Sequence, residues 1–184
     1  MKIIFLDIDG VLNCEKAYKE GFCKYLKWGD ENKHEYHQQF YPPSKELINR
    51  LIVETESKVV ISSTWRNSGI ERMQKIWQIE GMAGEIIDIT PHLYLDGFGH
   101  LPRGCEIKQW LNSKGFYHIN YSEELQQQYI KESGIENYVI IDDDSDMLYQ
   151  QMNNFVHVLP SPINKEGFKE ENYQQAKKIL IKDL

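Results

Sequence analysis

The feature that most constrains the fold is a set of short, unbroken apolar runs, each followed by a stretch with helical periodicity. Lys2 to Leu6 (KIIFL), Lys58 to Ser62 (KVVIS) and Tyr138 to Ile141 (YVII) have the pattern of strands buried on both faces. Glu85 to Ile89 (EIIDI) and Phe155 to Leu159 (FVHVL) read as two more, ended by Thr90-Pro91 and Pro160. Helices are expected between them. One opens after Pro42-Pro43 with Ser44 as N-cap and Leu47, Ile48, Leu51 and Ile52 on one face. A second runs from about Ser68 to a stop at Gly81, and a third covers Glu106 to Leu111 and stops at Gly115. A fourth spans Ser122 to Lys131 with Leu125, Tyr129 and Ile130 inward, and a closing helix carries Tyr173, Ala176, Ile179 and Leu180. Strand and helix alternating in this way imply right-handed crossovers and an α/β three-layer sandwich around a central parallel sheet.

Composition narrows the class. The chain has 184 residues, 41% hydrophobic and 27% charged, which suits one domain over 1–184 with a full-sized core. Its 21 basic and 28 acidic residues give a net charge of −7. That balance argues against a protein whose affinity rests on neutralising many phosphates, or on docking to an anionic membrane. Three cysteines (Cys14, Cys23, Cys105) are too few and too odd in number for a disulfide framework. Asp7 interrupts the apolar start, so a secretory core is not expected, nor is there an apolar run of about 20 residues to span a bilayer. A cytoplasmic globular domain is the expectation. The one break in the pattern lies at about 13–42, rich in Lys, Glu, His and aromatics. At roughly thirty residues it exceeds an ordinary connection, so it reads as an insertion forming a small cap or flap after strand 1. Ligands of parallel sheets bind at that carboxyl edge.

The same edge carries the reactive side chains. Asp7 and Asp9 end the first strand two residues apart, a spacing that puts both on one face of an extended chain, and Gly10 after them allows a tight turn. Asp142, Asp143, Asp144 and Asp146 follow the fourth strand. Four carboxylates within five positions are costly without a counter-ion. If the two strands are neighbours, their tips form an all-oxygen cluster suited to a hard cation such as Mg²⁺. Either Asp142 pairs with the adjacent Asp143 or with Asp146; we prefer the adjacent pair, with Asp146 as a helix cap. Ser62-Ser63-Thr64 ends the strand between, and hydroxyls with free amides at a strand tip suit phosphate binding. Arg103, ahead of a helix, offers a fixed positive charge, with Lys108 as the alternative.

This ordered set resembles the haloacid dehalogenase-like (HAD) phosphatases: Asp7-x-Asp9-Gly10-Val11-Leu12, a strand ending in Ser63 or Thr64, a basic residue before a helix, then Asp142-Asp143. Thr90-Pro91 and Arg103-Gly104-Cys105-Glu106-Ile107 with Trp110-Leu111 also resemble small HAD domains of RNA-repair proteins. The resemblance implies a HAD-like, Rossmann-type arrangement and hydrolysis of a phosphomonoester. Asp7 would attack phosphorus and become an aspartyl phosphate. Asp9 would be the acid for the leaving oxygen and then the base for water. Ser63 or Thr64 would bond the phosphoryl group, and Arg103 or Lys108 would neutralise it. Mg²⁺ would be held by Asp7, the Asp9 carbonyl and Asp143, with Asp142 assisting. A small insertion favours a bulky substrate, such as a nucleotide or a polynucleotide end, over an enclosed sugar phosphate. The alternatives are a catalytically silent metal-binding domain and a phosphotransferase; a signalling receiver would have its acidic residues in another order. The oligomeric state stays open.

Other clusters invite weaker readings. Cys14, Cys23, His34 and His37 match no zinc spacing, so no zinc is expected. Tyr18, Phe22, Tyr25, Trp28, Tyr36, Phe40 and Tyr41 read first as the insertion's own mini-core and second as a stacking surface for a base. Lys16, Lys19, Lys24, Lys27 and Lys33 make the insertion locally basic.

Overall fold

The computed structural model describes residues 1–23, 40–97, 99–117 and 123–182. Its centre is a five-stranded, all-parallel sheet in the order β3-β2-β1-β6-β7. The strands are β1 (Lys2–Leu6), β2 (Lys58–Ile61), β3 (Ile86–Ile89), β6 (Asn137–Asp142) and β7 (Phe155–His157). All five apolar runs became strands because each buries side chains on both faces. Ile4 and Leu6 of β1 pack with Val59, Ile61, Val139 and Ile141 on one face, under helices α2 (Pro42–Thr55), α3 (Ile70–Ile79) and α6 (Glu170–Leu180). Ile3 and Phe5 pack with Val60, Tyr138 and Ile140 on the other, under α4 (Arg103–Ser113). Phe5 meets Trp110 and Tyr138 edge to face at 5.3 and 5.8 Å. Such fully buried side chains contribute about 1.5–3 kcal/mol each.

The order of connections fixes where a ligand can sit. From β1 the chain moves outward to β2 and β3, then returns through α4 and α5 (Glu123–Ser133) to β6 on β1's other side. β1 and β6 therefore flank the point where winding reverses, which opens a crevice at their carboxyl ends. Two short elements complete the fold: α1 (Glu15–Lys19) and an antiparallel ribbon of β4 (Tyr94–Leu95) with β5 (Gly99–His100), which the sequence reading does not anticipate.

Several boundaries differ from expectation. Ser44 is not the N-cap of α2; Tyr41 is, because Pro42 is already helical and suits a first turn that needs no amide donor. Ser44 is buried and donates instead to the Glu166 carbonyl at 3.1 Å. The helix expected from Ser68 begins at Ile70, after a 3₁₀ turn over Thr64–Ser68. Leu125 is exposed rather than inward, while Ile130 of the same helix does pack on the α4-side core. Residues 24–39, most of the expected insertion, lie outside the described residues. So do Tyr25, Trp28, Tyr36, His34, His37, Lys24, Lys27 and Lys33. No helix among the described residues is long and apolar enough to cross a membrane.

Candidate active site

Register and alternation together assemble the acidic tips. Leu6 pairs with Ile61 on one side and Ile141 on the other, so Asp7 stands level with Ser62 and Asp142. The Asp7 amide donates to the Ile141 carbonyl at 3.0 Å, and the Ser62 amide to Leu6 at 2.9 Å, which extends the ladder by one rung. Ile3 and Phe5 face α4, as do Tyr138 and Ile140; the two-residue period then turns Asp7 and Asp142 to that same face. One oxygen each from Asp7, Asp142 and Asp143 lies within 4.8 Å of the others.

α4 brings the cation. Arg103, its first residue, sets Nη1 3.6 Å from Asp7 Oδ1 and Nε 4.0 Å from Asp142 Oδ2. Asp7 is 6% exposed and Asp142 1%. Burial raises the proton affinity of both carboxyls well above the usual carboxylate range, and Arg103 only partly opposes it. The nearness of Asp7 pushes Asp142 further up. Asp143 shifts the same way through burial and then through Asp144.

The loop after β6 is tied down on both sides. Asp143 packs on the backbone of Gly10, where φ is +80° and an added Cβ would come within 2.1 Å of the Asp143 carboxylate oxygen. Glycine is required there for conformation and for space alike. His157 Nε2 bonds the Asp143 carbonyl at 2.9 Å. Asp146 does cap a helix, but not one that follows it: its Oδ2 accepts from the Arg103 amide at 2.8 Å, at the start of α4. That bond removes Asp146 from the carboxylate cluster and fastens Arg103 to the acidic loop.

The remaining expected residues are placed as follows. Ser63 is fully buried, caps the 3₁₀ turn by accepting from the Trp65 amide, and lowers the Asp7 pKa through its hydroxyl. Thr64 is exposed, at the start of that turn. Lys108 sits five residues along α4 from Arg103, about 140° round the helix, and among the described residues pairs with none of the three carboxylates. Asp9 is not one of the three carboxylates that converge, although its charge acts on Asp143. β1 ends at Leu6, and the Leu12 and Asn13 amides bond back to the Ile8 carbonyl, closing a turn that begins at Asp9. Asp9 is exposed, with Oδ2 accepting from Trp65 Nε1 at 2.9 Å and Oδ1 from Asn13 Nδ2 at 3.3 Å.

Sequence reasoning missed a buried ion pair beside the site. Arg66 Nη2 donates to Glu106 Oε2 at 2.7 Å, with side-chain exposures of 6% and 3%. Arg66 also donates to the Ser63 carbonyl at 3.2 Å, and the Leu93 amide donates to Glu106 at 3.1 Å. The pair joins the turn carrying Ser63 to the helix carrying Arg103. Its members are 40 residues apart, and only the register of the folded sheet brings them together.

The residues present fit a hard divalent cation. The donor set is all oxygen, and Asp142 Oδ2 is buried with no hydrogen-bond partner, as is Arg103 Nη1. Buried polar atoms are rarely left unmade; these two sit where a cation and an anion would complete them. Cys14 and Cys23 are buried in a small cluster with Ala17 and Tyr41, and Cys23 donates to Asn13 Oδ1 at 3.3 Å.

A parallel sheet that reverses its winding between two acidic strand tips, with an arginine brought over them by the returning helix, is the arrangement expected of a HAD-like hydrolase domain. Sequence gives the family within that class: the profile of HAD domains in Swiss Army Knife RNA repair proteins matches residues 3–172. The chain belongs to this family. No curated protein matches it as a relative.

Proposed function

We propose that the chain is a Mg²⁺-dependent phosphomonoesterase that works through an aspartyl phosphate on Asp7 and acts on a phosphate at a nucleotide or polynucleotide end. The observation that carries this reading is the convergence of Asp7, Asp142 and Asp143 within 4.8 Å, under Arg103 at 3.6 Å from Asp7. Asp7, Asp142 and Asp143 would hold the cation, which supplies positive charge to screen the approach of a carboxylate to a phosphate dianion.

The chain's own residues do the rest. Asp7 must be ionised to act, so the burial that raises its pKa must be offset by positive charge; Arg103 provides part of it. An Asp7 carboxylate oxygen attacks phosphorus as the ester P–O bond breaks, and Asp9 gives its proton to the departing oxygen. Water then attacks the aspartyl phosphate, Asp9 takes a proton from it, and orthophosphate leaves. Arg103 and the Ser63 hydroxyl bond the oxygens on which negative charge gathers, where fixed donors are worth most. Phosphoryl transfer asks for little beyond this positioning.

The substrate class rests on two supports. The matching family is that of HAD domains in RNA repair proteins. The expected cap is also short, which leaves room for a bulky phosphorylated end. The test is phosphate release with and without Mg²⁺ from an aryl phosphate, from nucleotides, from phosphorylated oligonucleotide ends and from sugar phosphates. Release that needs Mg²⁺, is lost in Asp7→Asn and is fastest on nucleotide or oligonucleotide ends is expected. Fast turnover of small sugar phosphates alone would overturn the substrate class; full activity in Asp7→Asn would overturn the mechanism.

A further inference from the structure

Asp9 lies outside the three converging carboxylates, yet both of its oxygens are bonded by donors from separate segments. Trp65 Nε1 comes from the 3₁₀ turn after β2, at 2.9 Å from Oδ2. Asn13 Nδ2 comes from the turn after β1, at 3.3 Å from Oδ1. An exposed aspartate normally samples several rotamers. A proton donor must instead stand within about 2.6–3.2 Å of the departing oxygen, so two fixed donors on its carboxylate have a mechanistic consequence.

Each donor is itself held. The Trp65 ring packs against Phe40 with centroids 6.2 Å apart. The Cys23 thiol donates to Asn13 Oδ1, which leaves the Asn13 amide nitrogen to face Asp9. Phe40 and Cys23 are the described residues on either side of 24–39. The chain therefore enters and leaves that stretch beside the two groups that grip Asp9.

We infer that Trp65 and Asn13 are positioning residues that fix the carboxylate of Asp9 in its proton-transfer geometry, with the shorter Trp65 bond dominant. Trp65→Phe is the discriminating variant, because it keeps an aromatic ring beside Phe40 and deletes the indole N–H donor. The inference rests on Asp9 being the proton donor proposed above, and that role matters more for a poor leaving group than for a good one. The experiment measures kcat for an alkyl ester (a nucleoside monophosphate) and for p-nitrophenyl phosphate, in the wild type and in Trp65→Phe, alongside crystal structures of both proteins.

The expected result is a fall of about 10-fold or more in the alkyl-to-aryl kcat ratio, with the Asp9 carboxylate in a different rotamer in the variant. An equal loss on both esters, or none on either, would overturn the inference. If the wild type releases phosphate from neither ester and from no phosphorylated oligonucleotide end, the phosphatase reading fails. The structures then still decide the positioning claim: an unmoved Asp9 carboxylate contradicts it and a displaced one supports it.

Discussion

Two ionic groups lie close enough in this protein for their charges to act on each other, and they are finished to different degrees. The Arg66–Glu106 pair is bonded on nearly every side: to each other, to the Ser63 carbonyl and to the Leu93 amide, with only Arg66 Nε lacking a partner. The Asp7–Asp142–Arg103 group is nearly as buried, with Arg103 at 13% exposure, but looser. Its closest charge contacts are 3.6 and 4.0 Å, and Asp142 Oδ2 and Arg103 Nη1 have no hydrogen bond at all. Burying charge without partners is costly. The first arrangement holds two elements together; the second holds a cost that a bound cation and phosphate would relieve.

The widest separation should come from breaking each group in turn. Glu106→Ala leaves a buried arginine unpaired and is expected to cost about 3–5 kcal/mol, read as a large drop in the denaturation midpoint. Arg103→Ala should lower kcat/KM by on the order of 10²–10³-fold while the midpoint at saturating Mg²⁺ barely moves. Should Arg103→Ala unfold the protein and Glu106→Ala leave its stability intact, the contrast between the two groups is wrong.

Proton binding sharpens the comparison. In the metal-free chain, Asp7 and Asp142 hold their protons more tightly when folded than when unfolded, because burial raises both from an ordinary value of 3.8. Above that value, and up to the raised ones, the folded state carries more protons, so stability falls as pH rises. Thermal melts without metal should therefore decline from about pH 4 toward neutrality, and Mg²⁺ should restore the loss. Asp142→Asn should flatten the decline and raise the metal-free melting temperature near neutral pH by about 2–4 °C per kcal/mol regained. A smaller effect is expected from Asp146→Ala, which removes the cap of α4 and should cost about 1 kcal/mol, with kcat falling through Arg103 rather than through metal affinity.

How much of this could be read in advance depended on whether the signal was local. The three central strands were legible because KIIFL, KVVIS and YVII are unbroken apolar runs too short for a buried helix. The acidic tips were legible because Asp7 and Asp142 follow those runs directly, so parallel register alone brings them level. Three features were not legible. The bond from Trp65 to Asp9 joins residues 56 apart, and only the folded position of the 3₁₀ turn after β2 brings them together. The cap that Asp146 gives to α4 spans 43 residues. The Arg66–Glu106 pair likewise depends on two elements meeting, and nothing in either neighbourhood marks it.

The most direct measurement is calorimetric titration of the purified protein with Mg²⁺, repeated with Asp142→Asn and Asp143→Asn. One binding site in the wild type, lost or weakened by at least about 10-fold in each variant, is predicted. Undiminished binding in both variants, or none in the wild type, would contradict a shared cation between the tips of β1 and β6.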